Sequence, residues 1–145
     1  MCFPLQVKPL PVKIKPTSTR VISAQGLLTI LRRKFPDSGE IYLSDHNYLM
    51  CNKSDIELFL KQDATNQCEY QAEIFDCDDF SYRLMGQFSV PDWSDLTFGI
   101  VWSNFHALNC IVTDDEKFYF IEPQSDEIIE ELEDWMGSTV RFIMM

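Results

Sequence analysis

The first half of the chain carries apolar residues at helical spacing. In Ala24–Phe35 the leucines and the final phenylalanine recur every three or four positions, and Ser23 before them is a favourable N-cap. The stretch Ser54–Glu57 has the sequence of a capping box and predicts a short helix ending near Lys61. Asp76 marks the predicted start of a further helix. These patterns place most of the helical structure before the middle of the chain.

From about residue 97 the pattern changes to β-branched and aromatic runs separated by short turns, which predict strands. One late stretch, Ser125–Trp135, returns to helical spacing with acids on its other side and predicts a helix. Helices followed by an antiparallel meander predict an α+β fold, with N-terminal helices packed on a small antiparallel sheet. The predicted strands are Glu40–Leu43, Tyr48–Cys51, Thr97–Trp102, Ala107–Thr113, Lys117–Ile121 and Thr139–Met145.

Proline and lysine dominate the start of the chain. Residues 1–19 hold four of the seven prolines and predict an extended basic arm, while residues 20–145 have the usual size of one domain. No apolar run reaches the roughly 20 residues that a membrane helix needs. Met1–Leu5 lacks the charged and apolar regions of a secretory signal. We therefore predict no membrane partner and a cytoplasmic location.

The five cysteines, at positions 2, 51, 68, 77 and 110, are odd in number and irregular in spacing, with no CxxC pair. This spacing argues against a disulfide framework and against a structural zinc site. A reducing, cytosolic setting agrees with it.

The net charge of -11 is unevenly distributed. Residues 1–35 carry seven bases and no acid, and the remainder carries 5 bases and 23 acids. So acidic a body repels phosphates, which excludes nucleic acid as a general partner. The surplus acids are compatible with a solvated surface, with divalent-cation binding or with mimicry of a nucleic acid, and the basic start can lie across them.

Cys77 occupies the first position of the helix that Asp76 is predicted to cap. The unpaired N–H groups and the positive end of a helix dipole favour the thiolate and lower the pKa of a cysteine there. The neighbouring carboxylates of Asp76, Asp78 and Asp79 act in the opposite direction. An activated thiol at this position therefore needs a nearby histidinium, or a cation that neutralises the acids.

His106 and Glu122 stand at the ends of two successive predicted strands. If these strands pair through the turn at Asp114–Lys117, with the register centred near residue 115, the two residues lie close to opposite each other. Cross-strand neighbours on one face are about 4.5–5.5 Å apart at Cβ. A carboxylate there can accept one ring N–H of the imidazole and orient it as the base for a thiol. His46, in a turn beside Asp45, is an alternative base.

Three short motifs in order carry a resemblance to a known superfamily. Cys77–Phe80 opens a helix, His106–Asn109 opens a strand, and Ile121–Gln124 closes the next strand. Together, over roughly residues 65–130, they resemble the papain-like and transglutaminase-like cysteine hydrolases and, more narrowly, the cysteine-peptidase domain of Marasmius-type fungal agglutinins. The resemblance implies a papain-like domain.

The resemblance also implies roles for the site residues. Cys77 is the implied nucleophile, His106 the base and Glu122 the residue that orients it. Gln124 is an implied polar group of the site and Tyr70 an implied wall of the cleft. A glutamine six residues before the nucleophile, to donate to an oxyanion, would be Gln71, with Gln67 as a competitor.

The agglutinin peptidases depend on calcium, and the resemblance implies calcium as a compatible ion here, although the sequence itself requires no cofactor. The candidate ligands are Asp76, Asp78 and Asp79, since calcium prefers oxygen ligands. No EF-hand spacing is present, and the lectin repeats of the agglutinins are missing from this sequence.

The predicted function is a cysteine peptidase or amidase that acts on a peptide or protein through a thioester intermediate. The same triad supports acyl transfer when an amine replaces water. The alternative is a non-enzymatic, acidic interaction or inhibitor protein on the same scaffold, and a calcium-binding module is a third interpretation. A plain interpretation of each residue also stands: a buried thiol, a structural histidine and a capping glutamate. The small size suits an accessory protein of a phage or bacterium.

Overall fold

The computed structural model describes residues 15–17 and 20–145, so most of the predicted arm at 1–19 lies outside the described residues. Among the residues described, no helix has the length and hydropathy of a membrane span. In chain order the elements are β1 (Arg20–Ser23), α1 (Ala24–Lys34), β2 (Glu40–Tyr42), β3 (Asn47–Met50), α2 (Lys53–Leu60), a 3-10 helix (Thr65–Gln67), α3 (Cys77–Phe88), β4 (Phe98–Ser103), β5 (Ala107–Val112), β6 (Phe118–Glu122), β7 (Glu127–Ile129), a 3-10 helix (Asp134–Met136) and β8 (Val140–Met144).

The main sheet has six strands in the order β2-β8-β4-β5-β6-β7. Its neighbouring strands are antiparallel except for β2 and β8, which run parallel. β1 and β3 form a separate antiparallel pair. The last strand therefore lies inside the sheet, between a strand from the first third of the chain and the meander.

Helices cover both faces of the main sheet. Leu27 and Leu31 of α1 pack in one apolar cluster with Leu108 of β5. Leu84 of α3 packs in a second cluster with Ile111 of the same strand, together with residues of α2. All six residues of β5 are buried, because both of its faces are covered. A strand covered on both sides has a continuous apolar sequence rather than an alternating one.

Two of the three helix starts follow the predicted N-caps. Ser23 precedes α1 and accepts its capping hydrogen bond, and Asp76 precedes α3. The predicted cap of α2 is wrong, because Asn52 rather than Ser54 accepts the hydrogen bond from the N–H of Asp55, at 2.9 Å.

The predicted fold class, a papain-like α+β arrangement of N-terminal helices on a small antiparallel sheet, is wrong. The protein is mostly β, with a six-stranded mixed sheet and helices on both of its faces. The predicted helix Ser125–Trp135 is instead β7 followed by a short 3-10 helix. Ile128 and Ile129 pair with β6, so strand pairing by β-branched residues overrides the helical spacing. Trp135, expected on the buried side of that helix, is 56% exposed.

Basic residues near the start of the chain pair with the acidic body. Lys15 contacts Asp92 at 3.0 Å, and Arg20 contacts Glu116 at 2.7 Å. Such exposed pairs each contribute less than about 1 kcal/mol to stability. They agree with the expectation that the basic start lies across acidic surface.

Gly137 fixes the bend between the second 3-10 helix and β8. Its φ is +96°, and a Cβ on it would lie 2.3 Å from Oδ1 of Asn104. We expect Gly137→Ala to lower the free energy of unfolding by about 2–3 kcal/mol, through backbone strain and this clash. Urea unfolding followed by circular dichroism measures the change.

Gly86→Ala is the matched control for that substitution. Gly86 lies in α3, and a Cβ there meets no atom within 4 Å. Alanine is the better helix former, so this change is expected to raise the free energy of unfolding by about 0.5–1 kcal/mol. Equal effects of the two substitutions would contradict the assignment of strain to Gly137.

Candidate functional site

Cys77 begins α3, as the sequence predicts. The backbone N–H of Asp76 donates to Oδ2 of Asp79 at 3.2 Å, which belongs to a capping box at this helix start. Inside the first turn, the hydroxyl of Ser81 donates to the carbonyl oxygen of Cys77 at 2.9 Å. The backbone on either side of Cys77 is therefore held by hydrogen bonds from or to side chains of the same helix.

Asn109, in the middle of β5, holds α3 against the sheet. Its side-chain amide is buried and donates to the carbonyl oxygen of Ser81 at 3.0 Å and to that of Gly99 at 3.2 Å. One residue of β5 thus bridges the helix that carries Cys77 and the neighbouring strand β4. This contact places the helix start beside the beginning of β5.

His106 is positioned by the bend that joins β4 to β5. The hydroxyl oxygen of Ser103 accepts hydrogen bonds from the N–H groups of Phe105, at 3.1 Å, and His106, at 2.9 Å. The same hydroxyl contacts the carbonyl oxygen of Met136. A single buried serine therefore ties the histidine backbone to the second 3-10 helix.

His106 and Glu122 form a buried hydrogen-bonded pair. Nε2 of His106 lies 2.6 Å from Oε2 of Glu122, and the two residues are 8% and 3% exposed. The pairing of β5 with β6 puts Glu122 opposite Leu108, so the histidine is its diagonal neighbour, two residues along. Oε1 of Glu122 accepts the backbone N–H of Gln124 at 3.0 Å. Because Nε2 is occupied, Nδ1 is the ring nitrogen left for another partner.

Cys77 and His106 meet at two clefts. The thiol lies close to the backbone N–H of Ala107, the residue after the histidine, which lowers the pKa of the thiol. The side cleft, of about 240 Å³, is also bordered by Asp78 and Arg141. The main cleft, of about 640 Å³, is lined by Tyr70, Cys77, Phe105, His106, Glu122, Gln124, Ser125, Glu127 and Trp135.

The net effect of these surroundings is to raise the pKa of Cys77. Burial is the largest cause, and the negative charges of Asp76 and Asp78 add to it, against the lowering by the N–H of Ala107. The two carboxyl groups share a hydrogen bond, which lowers the pKa of Asp76 and raises the pKa of Asp78. The helix start therefore does not outweigh burial and the adjacent acids.

The other cysteines that the structure describes differ from Cys77 in their surroundings. Burial raises the pKa of Cys51 to about 12 and also raises the pKa of Cys110. Cys68 is partly exposed, and none of these four cysteines is in a disulfide.

The remaining predicted residues are only partly brought to the site. Tyr70 and Gln124 line the main cleft, whereas Gln71 is exposed and lines neither cleft. The backbone of Gln71 forms a tight turn with Phe75. His46, the alternative base, is exposed and lines neither cleft.

Only two of the three acids predicted as calcium ligands lie together in the structure. One ligand atom each from Asp76, Cys77 and Asp78 lie within 4.8 Å of one another. Asp79 is not in this group, because its carboxylate accepts the N–H of Asp76. The group offers two carboxylates and a soft thiol, so calcium would be held there by Asp76 and Asp78.

Sequence patterns missed four residues of the main cleft: Phe105, Ser125, Glu127 and Trp135. The ring of Trp135 lies 4.9 Å from that of His106, measured between centroids, with the planes at 55°. Its helical spacing within Ser125–Trp135 concealed this position. Phe105, 73% exposed and next to His106, and Ser125, next to Gln124, are the residues that adjacency in the sequence could have indicated.

No protein-family model matches this sequence, and no curated protein sequence matches it. Solved structures do match. One, described as the "PSL1a-E64 complex", has a TM-score of 0.73 at 20% identity, with 86% of this chain and 50% of that chain covered. Another, of Polyporus squamosus lectin bound to the human-type influenza-binding epitope Neu5Aca2-6Galb1-4GlcNAc, has a TM-score of 0.68 at 20% identity, with 86% and 49% covered.

These matches establish a shared fold, and the chain spans about half the length of the structures it matches. They contradict the family predicted from the motifs, because one matched structure is described as a lectin and neither as a papain-like or Marasmius-type peptidase domain. The predicted cysteine peptidase or amidase, with its peptide substrate, is wrong for the same reason. Three motifs of four residues specify a helix start and two strand ends, and such ends meet at clefts in proteins of different function.

Ser103→Ala tests the support beneath His106. The substitution leaves the buried backbone N–H of His106 and the part-buried N–H of Phe105 without their acceptor, so the free energy of unfolding should fall by about 1–3 kcal/mol. Ser89→Ala is the control, because Ser89 bonds only the carbonyl oxygen of Met85 at an exposed helix end, and its loss should cost less than about 0.5 kcal/mol. Urea unfolding of both variants measures the difference, and a Ser103→Ala effect no larger than the control would contradict this role.

Proposed function

We propose that this chain is a ligand-binding protein whose main cleft holds its ligand against a nucleophilic thiol. In this proposal Cys77 is the nucleophile, His106 is its base and Glu122 orients the base. The observation that carries the proposal is the buried 2.6 Å contact between His106 and Glu122 beside a cleft that Cys77 lines. A carboxylate that accepts a hydrogen bond from Nε2–H fixes the tautomer in which Nδ1 is free to accept the thiol proton.

The raised pKa of Cys77 makes a base necessary. A thiol whose pKa is raised by burial and by Asp76 and Asp78 is protonated at neutral pH and is a weak nucleophile. A base that removes the proton during attack overcomes this without a standing thiolate. His106 is the described histidine that lines the cleft with Cys77.

The proposed step is reversible addition of the thiol to an electrophilic carbonyl carbon, such as that of an aldehyde. Sγ of Cys77 forms the new bond to carbon while the thiol proton passes to Nδ1 of His106. The carbonyl electron pair moves to the oxygen, which then takes up that proton. The product is a thiohemiacetal, nothing leaves, and the ligand is held without turnover.

Residues in the walls of the main cleft would orient the bound ligand. Tyr70 is half-exposed at the rim, and Gln124 is tied to Glu122 through its backbone N–H. Their side chains offer an aromatic face, a hydroxyl and an amide to a polar ligand. Gln71 lies outside the clefts and has no part in this proposal.

Calcium enters the proposal as a modulator held by Asp76 and Asp78. One oxygen of each carboxylate lies within 4.8 Å of the other, so a single divalent cation could contact both. The cation's charge would oppose the two negative charges that raise the pKa of Cys77. Addition of calcium should therefore speed the reaction of this thiol.

Iodoacetamide labelling at pH 7, read by mass spectrometry of peptides, tests the thiol. Cys77 should be alkylated at least ten times faster than Cys51, Cys68 or Cys110, and His106→Ala should slow it about 10²–10³-fold. His46→Ala, which removes an exposed histidine outside the clefts, is the matched control and should leave the rate unchanged. E64, the compound in one of the matched complexes, is a second probe and should add one equivalent of mass at Cys77.

Two results would overturn this proposal. One is equally slow labelling of the four described cysteines in the native protein, with and without calcium. The other is a Cys77 rate that His106→Ala and Glu122→Gln leave unchanged, since the thiol would then react without a base.

A saccharide is a second candidate ligand, favoured by the rings around the main cleft. Tyr70, Phe105 and Trp135 are more than half exposed there, beside the carboxylate of Glu127 and the hydroxyl of Ser125. Aromatic faces pack on apolar faces of ligands, and a few polar groups then fix the orientation. One matched structure is described as a lectin with a bound glycan.

The charge of the cleft predicts which saccharide binds. Glu122 and Glu127 line it, so a neutral disaccharide, Galb1-4GlcNAc, should bind more tightly than the sialylated trisaccharide that contains it. Trp135→Ala should weaken binding at least tenfold, whereas Tyr42→Ala, an exposed aromatic on β2, should not change it. Titration calorimetry measures the affinities, and tighter binding of the sialylated glycan, or no effect of Trp135→Ala, would reject this ligand class.

A further inference from the structure

Behind one wall of the main cleft, four oxygen-bearing side chains cluster between the segment of the first 3-10 helix and the turn that joins β6 to β7. Asp63 and Thr65 are buried, at 7% and 0% exposure. The backbone N–H of Thr65 donates to Oδ2 of Asp63 at 2.6 Å. The side-chain amide of Asn66 donates to Oδ2 of Asp126 at 2.6 Å, which joins two segments 60 residues apart.

Three oxygens of this group are buried and have no hydrogen-bond partner: Oγ1 of Thr65, Oδ1 of Asn66 and Oδ1 of Asp126. The side-chain amide of Asn66 and the carboxylate of Asp126 already bond each other through their other atoms. The unpartnered Oδ1 atoms of these two residues therefore belong to one cluster. Buried polar atoms are nearly always partnered, because leaving one unpaired costs about 1–3 kcal/mol. Three such oxygens in one cluster are acceptors that a bound cation or an ordered water would satisfy.

The charge of the cluster indicates which kind of ligand suits it. Among the described residues, no lysine, arginine or histidine forms an ion pair with Asp63 or Asp126. Burial and the charge of Asp63 raise the pKa of Asp126 to about 6, against lowering by the Asn66 hydrogen bond. The buried carboxylate of Asp63, the partly buried carboxylate of Asp126 and the unpartnered oxygens are all acceptors, so a positively charged ligand suits them better than another acceptor.

We propose that Asp63, Thr65, Asn66 and Asp126 form a structural site for a hard divalent cation, Ca²⁺ before others. Two carboxylates, an amide oxygen and a hydroxyl are the oxygen ligands that calcium takes, with water completing its shell. This site is separate from the carboxylates of Asp76 and Asp78 and does not depend on the proposed function of Cys77.

A cation there would fasten the wall of the main cleft. The backbone N–H of Asp126 donates to the carbonyl oxygen of Glu122 at 2.9 Å, and the turn between them carries Gln124 and Ser125. Asp126 itself stands at φ +63°, in the left-handed region, which an aspartate tolerates better than most residues. The cation would thus join this strained turn to the segment that leads toward Tyr70 and Cys77.

Thermal unfolding and titration calorimetry of the full chain, stripped with a chelator and returned to CaCl₂, test the site. At a calcium concentration 100-fold above Kd, the Tm should rise by roughly 5–10 °C. To separate this site from the other acidic group, the test uses an Asp78→Asn background: there Asp126→Asn should abolish the rise, and Asp37→Asn, which removes an exposed carboxylate outside both groups, should leave it in place. Thr65→Val, which removes only the hydroxyl, should weaken calcium binding about tenfold.

The outcomes separate the two acidic groups. The absence of a Tm rise with calcium would overturn the proposal, and so would a rise lost in Asp78→Asn but kept in Asp126→Asn. If Asp126→Asn does not fold, Thr65→Val decides the question: weakened calcium binding supports the site, and unchanged affinity rejects it.

Discussion

The register of the hairpin formed by β5 and β6 is the constraint on which the site depends. In its turn, the N–H of Thr113 bonds the carbonyl oxygen of Lys117 at 2.9 Å, and Glu116 adopts a left-handed backbone. Both strands are buried along their whole length, so a slip by one residue would turn each side chain into the apolar cluster on the opposite face and disrupt the packing of both clusters. Such a slip would also separate Glu122 from His106. The register that packs the sheet is therefore the same register that lets Glu122 orient the imidazole of His106.

The site draws on three segments that are far apart in the chain. The start of α3 supplies the thiol, the bend after β4 supplies the imidazole and Phe105, and the end of β6 with the stretch after it supplies the carboxylate of Glu122 and the ring of Trp135. Asn109 and Ser103 are the buried polar residues that join these segments, each through hydrogen bonds to backbone groups. Because buried polar groups must be satisfied, these contacts fix the geometry more narrowly than apolar packing alone would.

Charge acts locally in this acidic protein. At the start of α3, burial raises the pKa of Cys77 and the negative charges of Asp76 and Asp78 add to that effect. Between the first 3-10 helix and the β6–β7 turn, the carboxylates of Asp63 and Asp126 have no basic ion-pair partner among the described residues. The fold shared with a lectin structure does not decide what these groups do, since function resides in the site.

Local patterns in the sequence determined the start of α1 and α3, the strands of the meander and the turn at its centre. Each of these depends on neighbours within a few residues: a capping side chain, a β-branched run or a turn composition. The same patterns placed Cys77 at a helix start and paired the strands that end near His106 and Glu122, because the register is set by a short turn.

Only the tertiary structure decided the rest. Ile128 and Ile129 satisfy helical spacing, yet a partner strand was available and pairing prevailed. The parallel contact of β2 with β8 joins residues about 100 positions apart, which no local pattern records. The pKa of Cys77 was likewise settled by burial, a property of the packed protein, rather than by the helix start that the sequence revealed.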